Sequence, residues 1–313
     1  MGAWLLMSTR GVELLAIGLA SYDISLFVDE FPRENSKLET HEMVEQGGGP
    51  AANAAYLLSL WGVNCSFAGL VGDDIHGQRI LDEFKLIGTD LSLTETRHGH
   101  ATAVSVILVN TRNGSRTIVN RKAAFGALEL KSSQLEEIYP KVLLFDGHEL
   151  EASLSALEAF PDAVSILDAG SLRPGTEKLA SKVKYLVAAE RFALQVSGLA
   201  DLGSEAAQRE CLRRLHERAH ADAIIVVTLG SHGLIYEKAG TFDQVSACEV
   251  RAIDTTGAGD IFHGAFAYGV LRGLSLETTL RFATIAAGLS VQRRGGRQST
   301  PTLAAVEKEV GEY

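Results

Sequence analysis

Residues 254–260 read Asp-Thr-Thr-Gly-Ala-Gly-Asp, and the apolar run at 261–271 that follows them predicts a helix. Glycines at the start of a helix let a ligand come close to the backbone. The free N–H groups of Gly257, Ala258 and Gly259 would then point at one spot, with the positive end of the helix dipole behind them. This arrangement predicts an anion hole suited to the charge on a transferring phosphoryl group.

The acid that ends this segment needs a separate explanation. Beside an anion hole, Asp260 would repel phosphate unless it binds a metal ion or accepts the proton of an attacking hydroxyl, as phosphoryl transfer requires. An acid in the first turn of a helix is also explained by the helix dipole alone. Taken by itself, Asp260 leaves both roles open.

A second glycine-rich turn lies at 46–55 and reads Gln-Gly-Gly-Gly-Pro-Ala-Ala-Asn-Ala-Ala. Pro50 suits the first turn of a helix. The small residues would let a ligand sit against the helix start, where Asn53 offers both a donor and an acceptor. A turn of this kind is also compatible with simple chain reversal.

The composition limits the class of protein. The chain has 313 residues, 46% of them hydrophobic and 22% charged, which predicts one large domain over 1–313. A formal net charge of −10 disfavours a nucleic-acid partner. The apolar run at 3–7 is short, and no stretch approaches the ~18 apolar residues of a membrane span. Three scattered cysteines, Cys65, Cys211 and Cys248, predict neither disulfides nor a zinc site, and we expect a cytoplasmic protein.

The elements that would position these residues alternate along the chain. Short runs rich in Val, Ile and Leu predict buried strands, and segments with helical periodicity lie between them. This alternation predicts an α/β fold with a doubly wound, mostly parallel sheet covered on both faces. The predicted strands are 12–19, 66–70, 142–145, 164–167, 185–187 and 223–229, and the predicted helices are 51–61, 75–87, 149–160 and 205–219.

Two segments break the alternation, at about 22–46 and 100–121. Each carries the period-2 pattern of strands, and Asn113-Gly114 predicts a hairpin turn between 103–109 and 116–119. We expect these segments to form a small antiparallel lid inserted into the main domain. Strands with an exposed face also suggest that two lids pair in a homodimer.

Together, the two glycine-rich segments resemble the paired signatures of the ribokinase-like, or PfkB, family of carbohydrate kinases. Further matching segments follow the family's order over nearly the whole chain. They are 18–23 (Gly-Leu-Ala-Ser-Tyr-Asp), 72–74 (Gly-Asp-Asp) with Gly77, 227–233 (Val-Thr-Leu-Gly-Ser-His-Gly) and 293–299 (Arg-Arg-Gly-Gly-Arg-Gln-Ser). The resemblance implies an ATP-dependent kinase that phosphorylates a hydroxyl of a small sugar.

The resemblance also implies site roles. Asp260 would be the base that deprotonates the sugar hydroxyl, and 257–259 would form the anion hole. A carboxylate such as Asp23 accepts from two neighbouring hydroxyls of a polyol, although a turn or surface acid also explains it. The implied sugar ligands are Asp23, Gly48, Gly49 and Asn53. The implied nucleotide contacts are Thr228, Gly230, Gly233 and Thr255.

Metal ions are implied in the same way. Many relatives carry Asn-x-x-Glu after a core strand, which helps to hold Mg²⁺ through water. Here 187–190 reads Val-Ala-Ala-Glu, so Glu190 remains a candidate and the Asn is lost. Relatives often bind a monovalent cation such as K⁺ beside the anion hole, with a purely structural loop as the alternative. The matching residues are Asp254, Thr256, Ser290, Arg293, Gly295 and Ser299.

The resemblance indicates the sugar substrate less specifically than it indicates the family. Segments 47–52 and 294–297 look more like the fructokinase, ketohexokinase and sulfofructose kinase branch, so a ketohexose or related sugar is expected. Lys37, Asn120 and Arg121 fall in the lid and are candidates for reading a distal anionic substituent, with solvated lid charges as the alternative. No arginine is apparent near His148, where an acid-sugar kinase would be expected to have one.

Other functions compete with this one. A nucleoside kinase of the same superfamily would need aromatic or apolar lid residues, and Phe27, Phe31 and Phe125 keep it open. A non-catalytic binding or regulatory protein is disfavoured, because Asp260 and the whole of 257–259 are retained. A Rossmann dinucleotide enzyme is excluded, since no GxGxxG motif follows the first strand.

Overall fold

The computed structural model describes residues 11–238 and 240–311. In chain order the strands are β1 (Leu14–Ile17), β2 (Ser21–Val28), β3 (Met43–Gly48), β4 (Cys65–Ala68), β5 (Leu70–Gly72), β6 (Glu95–Arg97), β7 (Ala103–Asn110), β8 (Arg116–Arg121), β9 (Val142–Phe145), β10 (Val164–Ala169), β11 (Tyr185–Ala189), β12 (Ile224–Thr228), β13 (Leu234–Lys238) and β14 (Thr241–Val245). The helices are α1 (Pro50–Leu60), α2 (Ile75–Leu86), α3 (Ser132–Leu135), α4 (Leu150–Ala159), α5 (Pro174–Ala180), α6 (Glu190–Ser197), α7 (Glu205–His216), α8 (Ala258–Leu271), α9 (Leu276–Ser290) and α10 (Leu303–Gly311).

The central sheet has eight strands in the order β14-β13-β12-β11-β10-β9-β1-β4. The six strands from β12 to β4 are parallel, which confirms the doubly wound α/β fold expected from the alternating pattern. β13 and β14 form an antiparallel edge that the sequence pattern did not predict. They arise because the chain reverses after β12 through a short 3₁₀ turn, Gly230–His232, where a helical crossover would otherwise follow.

Both faces of this sheet are buried. In β1, Leu14 and Ala16 face one apolar cluster while Leu15 and Ile17 face the other, as alternating side chains in a covered parallel strand must. The first cluster includes α1, α8 and α9, and the second includes α4 and α7. The predicted strand at 66–70 is divided, because Gly69 interrupts it and β5 leaves to pair with β6.

Close packing of α8 against α1 brings the two glycine-rich segments together. A Cβ on Gly264 of α8 would lie 3.1 Å from the Cα atom of Ala54 and 3.0 Å from Cδ2 of Leu57, both on α1. Only a small residue permits this approach. The first turns of the two helices, which carry Asp260 and Asn53, therefore lie next to each other.

The predicted lid is a separate four-stranded sheet in the order β3-β2-β7-β8. Its outer pairings are antiparallel, and its central pairing, β2 with β7, is parallel. The hairpin predicted at Asn113-Gly114 joins β7 to β8, with Gly114 left-handed at φ 69°. The register places Asp23, Ser105 and Asn120 in one row across the sheet, so these side chains share a face.

No helix within residues 11–238 and 240–311 is long and apolar enough to span a bilayer. The apolar run at 3–7 lies outside the described residues. The single domain over 1–313 and the cytoplasmic location stay predictions.

Candidate active site

A cleft of about 920 Å³ lies between the lid and the carboxyl ends of β1, β9 and β10. Ligands of open α/β sheets bind at this edge, because the loops after parallel strands meet there. The cleft wall takes residues from the lid, from the first turns of α1 and α8, and from the loops after the three strands. Of the residues predicted from the sequence, it includes Asp23, Gly49, Asn53, Asn120, Thr256, Gly257 and Asp260.

The predicted anion hole is the start of α8. Gly257 is the N-cap residue and is left-handed, with φ 74° and ψ 0°, a conformation that glycine adopts without strain. Space is open around Gly259, where an added Cβ would meet nothing within 4 Å. The Ala258 N–H lies 3.3 Å from the carbonyl of Thr255, a long hydrogen bond. The helix start therefore offers backbone donors and open space to an anion.

Asp260 is held by a neighbouring side chain from α1. Nδ2 of Asn53 donates to Oδ2 of Asp260 at 2.7 Å, while Oδ1 of Asn53 accepts from Nε of Arg297 at 3.1 Å. Since Arg297 can only donate, it fixes which end of the Asn53 amide faces Asp260. The Asn53 N–H₂ group must therefore point at the carboxylate.

Arg297 is itself buried and held on several sides. Its Nη1 lies 2.6 Å from Oε2 of Glu83, which also accepts from the backbone N–H of Gly47 at 3.0 Å. The guanidinium carbon lies 4.5 Å from the ring centre of Phe84 and 5.0 Å from that of Tyr56. Any side chain at Gly47 would collide with it, because an added Cβ would lie 2.2 Å from Nη1. This chain of contacts, Gly47–Glu83–Arg297–Asn53–Asp260, links the two glycine-rich segments.

The basicity of Asp260 is raised by its surroundings. Burial raises its pKa to about 7, helped by the negative charges of Asp168 and Asp23, whereas the Asn53 hydrogen bond and His263 lower it. A general base works best with a pKa near the operating pH. Asp260 therefore has the position and the basicity of a proton acceptor in this cleft.

Behind Asp260 lies a buried pair, Asp168 at the end of β10 and His263 one turn further along α8. Nδ1 of His263 is 2.6 Å from the Gly259 carbonyl and 3.1 Å from Oδ2 of Asp168, and Nε2 is 3.1 Å from the Val187 carbonyl. Both ring nitrogens face carbonyl oxygens, which only accept, so a neutral imidazole with its single N–H satisfies one of these two contacts. Burial raises the pKa of Asp168 to about 8 and lowers that of His263.

The predicted sugar side of the cleft is built around Asp23. Its carboxylate is buried and accepts from Oγ of Ser21 at 3.1 Å. Burial raises the pKa of Asp23, and hydrogen bonds from Ser105 and Ser21 lower it. An added Cβ on Gly48 would lie 2.1 Å from Oδ2 of Asp23, and one on Gly49 would lie 2.1 Å from the Leu19 carbonyl. Gly48 therefore lets β3 pass this carboxylate, and Gly49 lets the following turn pass the backbone at Leu19.

One predicted sugar contact lies elsewhere. The Lys37 side chain is 84% exposed and pairs with Glu39 at 3.3 Å, and it is not one of the described residues that line the cleft. Asn120 does line the cleft, on the same lid face as Asp23.

The predicted nucleotide contacts lie beside the anion hole or further along the sheet edge. Thr255 joins the lid hairpin to this region, since its Oγ1 donates to the Gly114 carbonyl at 2.9 Å and accepts from Nη1 of Arg116 at 2.7 Å. Thr228 ends β12, Gly230 begins the 3₁₀ turn that follows, and Gly233 comes directly after that turn. A second cleft of about 670 Å³ follows, between β13–β14 and α9. Its wall includes Tyr236, Val245, Cys248, Thr284 and Ile285.

The predicted cation site is a buried loop organised by Asp254. This carboxylate accepts from the backbone N–H groups of Thr256 at 2.8 Å and Gly295 at 2.9 Å, and no cationic side chain among the described residues pairs with it. Oγ1 of Thr256 is buried without a partner in the described part of the chain. A buried charge beside an unpaired oxygen fits a monovalent cation. The Ser290 carbonyl already accepts from the Arg293 N–H, and Oγ of Ser299 donates to Gly296.

Glu190, the candidate magnesium ligand, is less buried than Asp254. Glu190 is the first residue of α6, directly after β11. Residues 11–238 and 240–311 contain no group of three acidic, His or Cys side chains that could hold a metal. Mg²⁺ keeps most of its waters and binds through one or two carboxylates and substrate phosphates, so Glu190 fits a role through water.

The structure corrects one expectation and adds residues that sequence reasoning missed. An arginine does lie near His148: Nη1 of Arg173 contacts Nε2 of His148. It comes from the loop after β10, and the pairing of β10 with β9 brings the two loops together.

Asp146, directly after β9, accepts from the backbone N–H groups of Leu19 and Ala51. Sequence reasoning could have found Asp146, because an acidic residue directly after a buried strand is a candidate for the binding edge of the sheet.

Comparison with known proteins decides the family. A model described as pfkB family carbohydrate kinase matches residues 13–303. The chain belongs to this family. It is 29% identical to a ribokinase of Schizosaccharomyces pombe, over 84% of each chain, and 26% identical to a 5-dehydro-2-deoxygluconokinase of Bacillus licheniformis, over 95% of each. This pfkB-family kinase also matches the fold of Arabidopsis thaliana ribokinase complexed with ribose and ATP, with a TM-score of 0.81, 24% identity, and 96% and 99% of the two chains covered.

Membership confirms the resemblance found in the sequence and makes this chain an ATP-dependent sugar kinase. Its relatives include kinases for a pentose and for a deoxyketo sugar acid, so the family does not select the substrate.

Proposed function

We propose that this pfkB-family kinase transfers the γ-phosphate of ATP to a hydroxyl of a ketohexose or a related sugar, with Asp260 as the general base. The observation that carries the proposal is the 2.7 Å contact between Asn53 and Asp260 at the start of α8, in a cleft shared with Asp23. It supports the proposal because Asp260, the start of α8 and Asp23 line the same cleft, which one polyol could span.

In the proposed reaction, Asp23, Asn53 and Asn120 bind hydroxyls of the sugar. The acceptor hydroxyl lies between Asp260 and the start of α8. Asp260 takes its proton as the oxygen attacks the γ-phosphorus, the bond from the γ-phosphorus to the β–γ bridging oxygen breaks and ADP leaves, and the backbone N–H groups of 257–259 stabilise the charge on the transferring group. The lid would exclude water, which would otherwise accept the phosphate.

ATP would lie along Thr228, Gly230, Gly233 and Thr255, with its base in the second cleft. That cleft offers the apolar side chains of Val245 and Ile285 to a planar ring. Mg²⁺, which we place near Glu190 through water, would neutralise phosphate charge when bound. A monovalent cation at Asp254 would balance the buried carboxylate and brace the loop that carries the anion hole.

A nucleoside acceptor is less well supported. Of the three aromatic residues that kept it open, Phe125 lines the cleft, while Phe27 packs in the lid core beneath the guanidinium of Arg294. Phe31 is not one of the described residues that line the cleft. One aromatic ring would leave a purine with little stacking surface.

A homodimer through the lid is also proposed. The lid exposes apolar side chains, including Val119 at 67% and Met43 at 57% exposure, which a second lid would cover. Sedimentation velocity at micromolar concentration should show a dimer, and a monomer at every concentration tested would remove this part of the proposal.

The experiment that tests the proposed function is an ADP-release screen of the purified protein with Mg²⁺ and K⁺. It would cover ketohexoses, pentoses, sugar acids, sulfosugars, phosphosugars and nucleosides. Release that depends on ketohexoses or their derivatives supports the proposal, and preferential release with pentoses or nucleosides contradicts it.

A further inference from the structure

The part of the cleft away from α8 is lined by cations. Arg121 is the last residue of β8 in the lid, Lys122 follows it, and Arg173 lines the same cleft from the loop after β10. The loop after β9 adds His148. Asp260 is held at the junction of α1 and α8, away from these cations, and Glu149 and Glu151 lie beside His148 in the same wall.

The two arginines use only neutral acceptors. Nη1 of Arg173 contacts Nε2 of His148, and its Nη2 donates to Oγ of Ser171 at 2.7 Å. The guanidinium of Arg121 donates to the Thr102 carbonyl. Among residues 11–238 and 240–311, no carboxylate lies within the 4.0 Å ion-pair distance of Arg121, Lys122 or Arg173.

The charges of Arg173 and Lys122 both act on the imidazole of His148. His148 has its pKa lowered by burial first, and the positive charges of Arg173 and Lys122 lower it further, against the opposing charge of Asp146. Asp146 points inward to three backbone N–H groups, and Glu149 accepts from the Leu128 N–H. Like charges clustered in a cleft repel one another unless an anion lies between them.

We propose that the sugar substrate carries an anionic substituent, bound by Arg173 together with Lys122 and Arg121. The guanidinium of Arg173 is held by His148 and Ser171, so it meets the anion already oriented, and its planar fork matches a carboxylate or another oxyanion. The anion would be repelled by Asp260 and Asp23, so it occupies the end of the sugar remote from the hydroxyl that is phosphorylated.

This inference rests on the proposed sugar kinase function and specifies its substrate class. The experiment compares kcat/KM for D-fructose with that for 5-keto-D-gluconate, 6-deoxy-6-sulfo-D-fructose and D-fructose 6-phosphate, which carry a carboxylate, a sulfonate and a phosphate. We expect at least one of the three anionic sugars to exceed fructose by about 10-fold or more, as one charge-assisted hydrogen bond allows. The best of the three identifies the anion.

Variants then locate the anion. Arg173→Gln should reduce the ratio of kcat/KM between the anionic sugar and fructose by about 10- to 100-fold, and Lys122→Gln should reduce it less. Matched controls are Arg218→Gln and Lys182→Gln, which change the same residue types outside the described cleft wall. Thermal melting of each variant checks that it folds.

The outcomes separate two failures. If fructose is phosphorylated and none of the anionic sugars is preferred, or if Arg173→Gln leaves the ratio unchanged, the anion site is wrong and the proposed function stands. If no sugar of either kind supports ADP release, the proposed function fails as well.

Discussion

The amide of Asn53 donates to the carboxylate of Asp260 across the junction of α1 and α8, at 2.7 Å. The contact depends on Gly264, which lets the two helices approach, and on Arg297, which holds the other end of the amide at 3.1 Å. A carboxylate with one strong donor keeps its second oxygen available for a proton. The helix junction therefore orients the proposed base without neutralising it.

Replacing the base should remove turnover and keep the fold. Asp260→Asn preserves the shape of the side chain and its place beside Asn53, but it cannot take a proton. We expect kcat to fall by about 10²-fold or more, with ATP binding by calorimetry nearly unchanged. Asp162→Asn, at an exposed position, is the matched control. A normal kcat for purified Asp260→Asn would show that another group is the base.

The activity should depend on pH through Asp260. Because burial raises its pKa to about 7, the active carboxylate form is lost as the pH falls through that value. We expect kcat/KM to fall about tenfold per pH unit well below 7. A profile that stays flat from pH 5 to pH 8 would be inconsistent with this assignment.

The same raised pKa values predict the pH dependence of stability. Asp260 and Asp168 have folded-state pKa values above those of the unfolded chain, so the folded state holds their protons more tightly. Their stabilising contribution is present below about pH 4 and is lost as the pH rises through about 7 to 8. Asp168→Asn should therefore gain stability relative to the wild type between pH 5 and pH 8. If the melting temperatures of Asp168→Asn and the wild type differ by the same amount at pH 5 and at pH 8, this prediction is wrong.

Arg297 should be far more important than its neighbour Arg294. Both pair with a glutamate and lie over a phenylalanine ring, but the Arg297 side chain is 2% exposed and that of Arg294 is 41% exposed. Removing one partner of a buried pair costs about 3–5 kcal/mol, whereas an exposed pair contributes about 1 kcal/mol or less. Urea unfolding of Arg297→Ala and Arg294→Ala measures the contrast.

The Arg297 substitution should also affect catalysis, since Asn53 loses the donor that orients it. The double variant Arg297→Ala/Glu83→Gln removes the charge left unpaired and should recover part of the stability while kcat stays low. If the single variant unfolds at the same urea concentration as Arg294→Ala, the buried pair has no special role.

A methyl group at Gly48 should disturb sugar binding. The added Cβ would lie 2.1 Å from Oδ2 of Asp23, so the carboxylate must move. We expect Gly48→Ala to raise KM for the sugar by about tenfold or more, the equivalent of one lost hydrogen bond to a charged group, with KM for ATP less affected. Gly11→Ala, where the Cβ meets nothing within 4 Å, is the control. An unchanged sugar KM would separate Asp23 from the substrate.

Much of the fold could be predicted because its causes are local. Apolar runs that alternate with helical periodicity indicate which residues are buried, and they predicted the parallel sheet. The hairpin at Asn113-Gly114 was likewise predicted from residues that are adjacent in the chain. The glycine-rich segments at 46–55 and 254–260 are local too, since each is a turn that opens a helix.

The contacts that orient the site join residues far apart in the chain, and no local pattern encodes them. Arg297 reaches Glu83 and Asn53 across more than 200 positions, and Arg173 meets His148 because β10 lies beside β9. Residue types and spacing predicted which groups could transfer a phosphate. Helix packing and strand order determine their partners, because these set the distances on which charge and pKa depend.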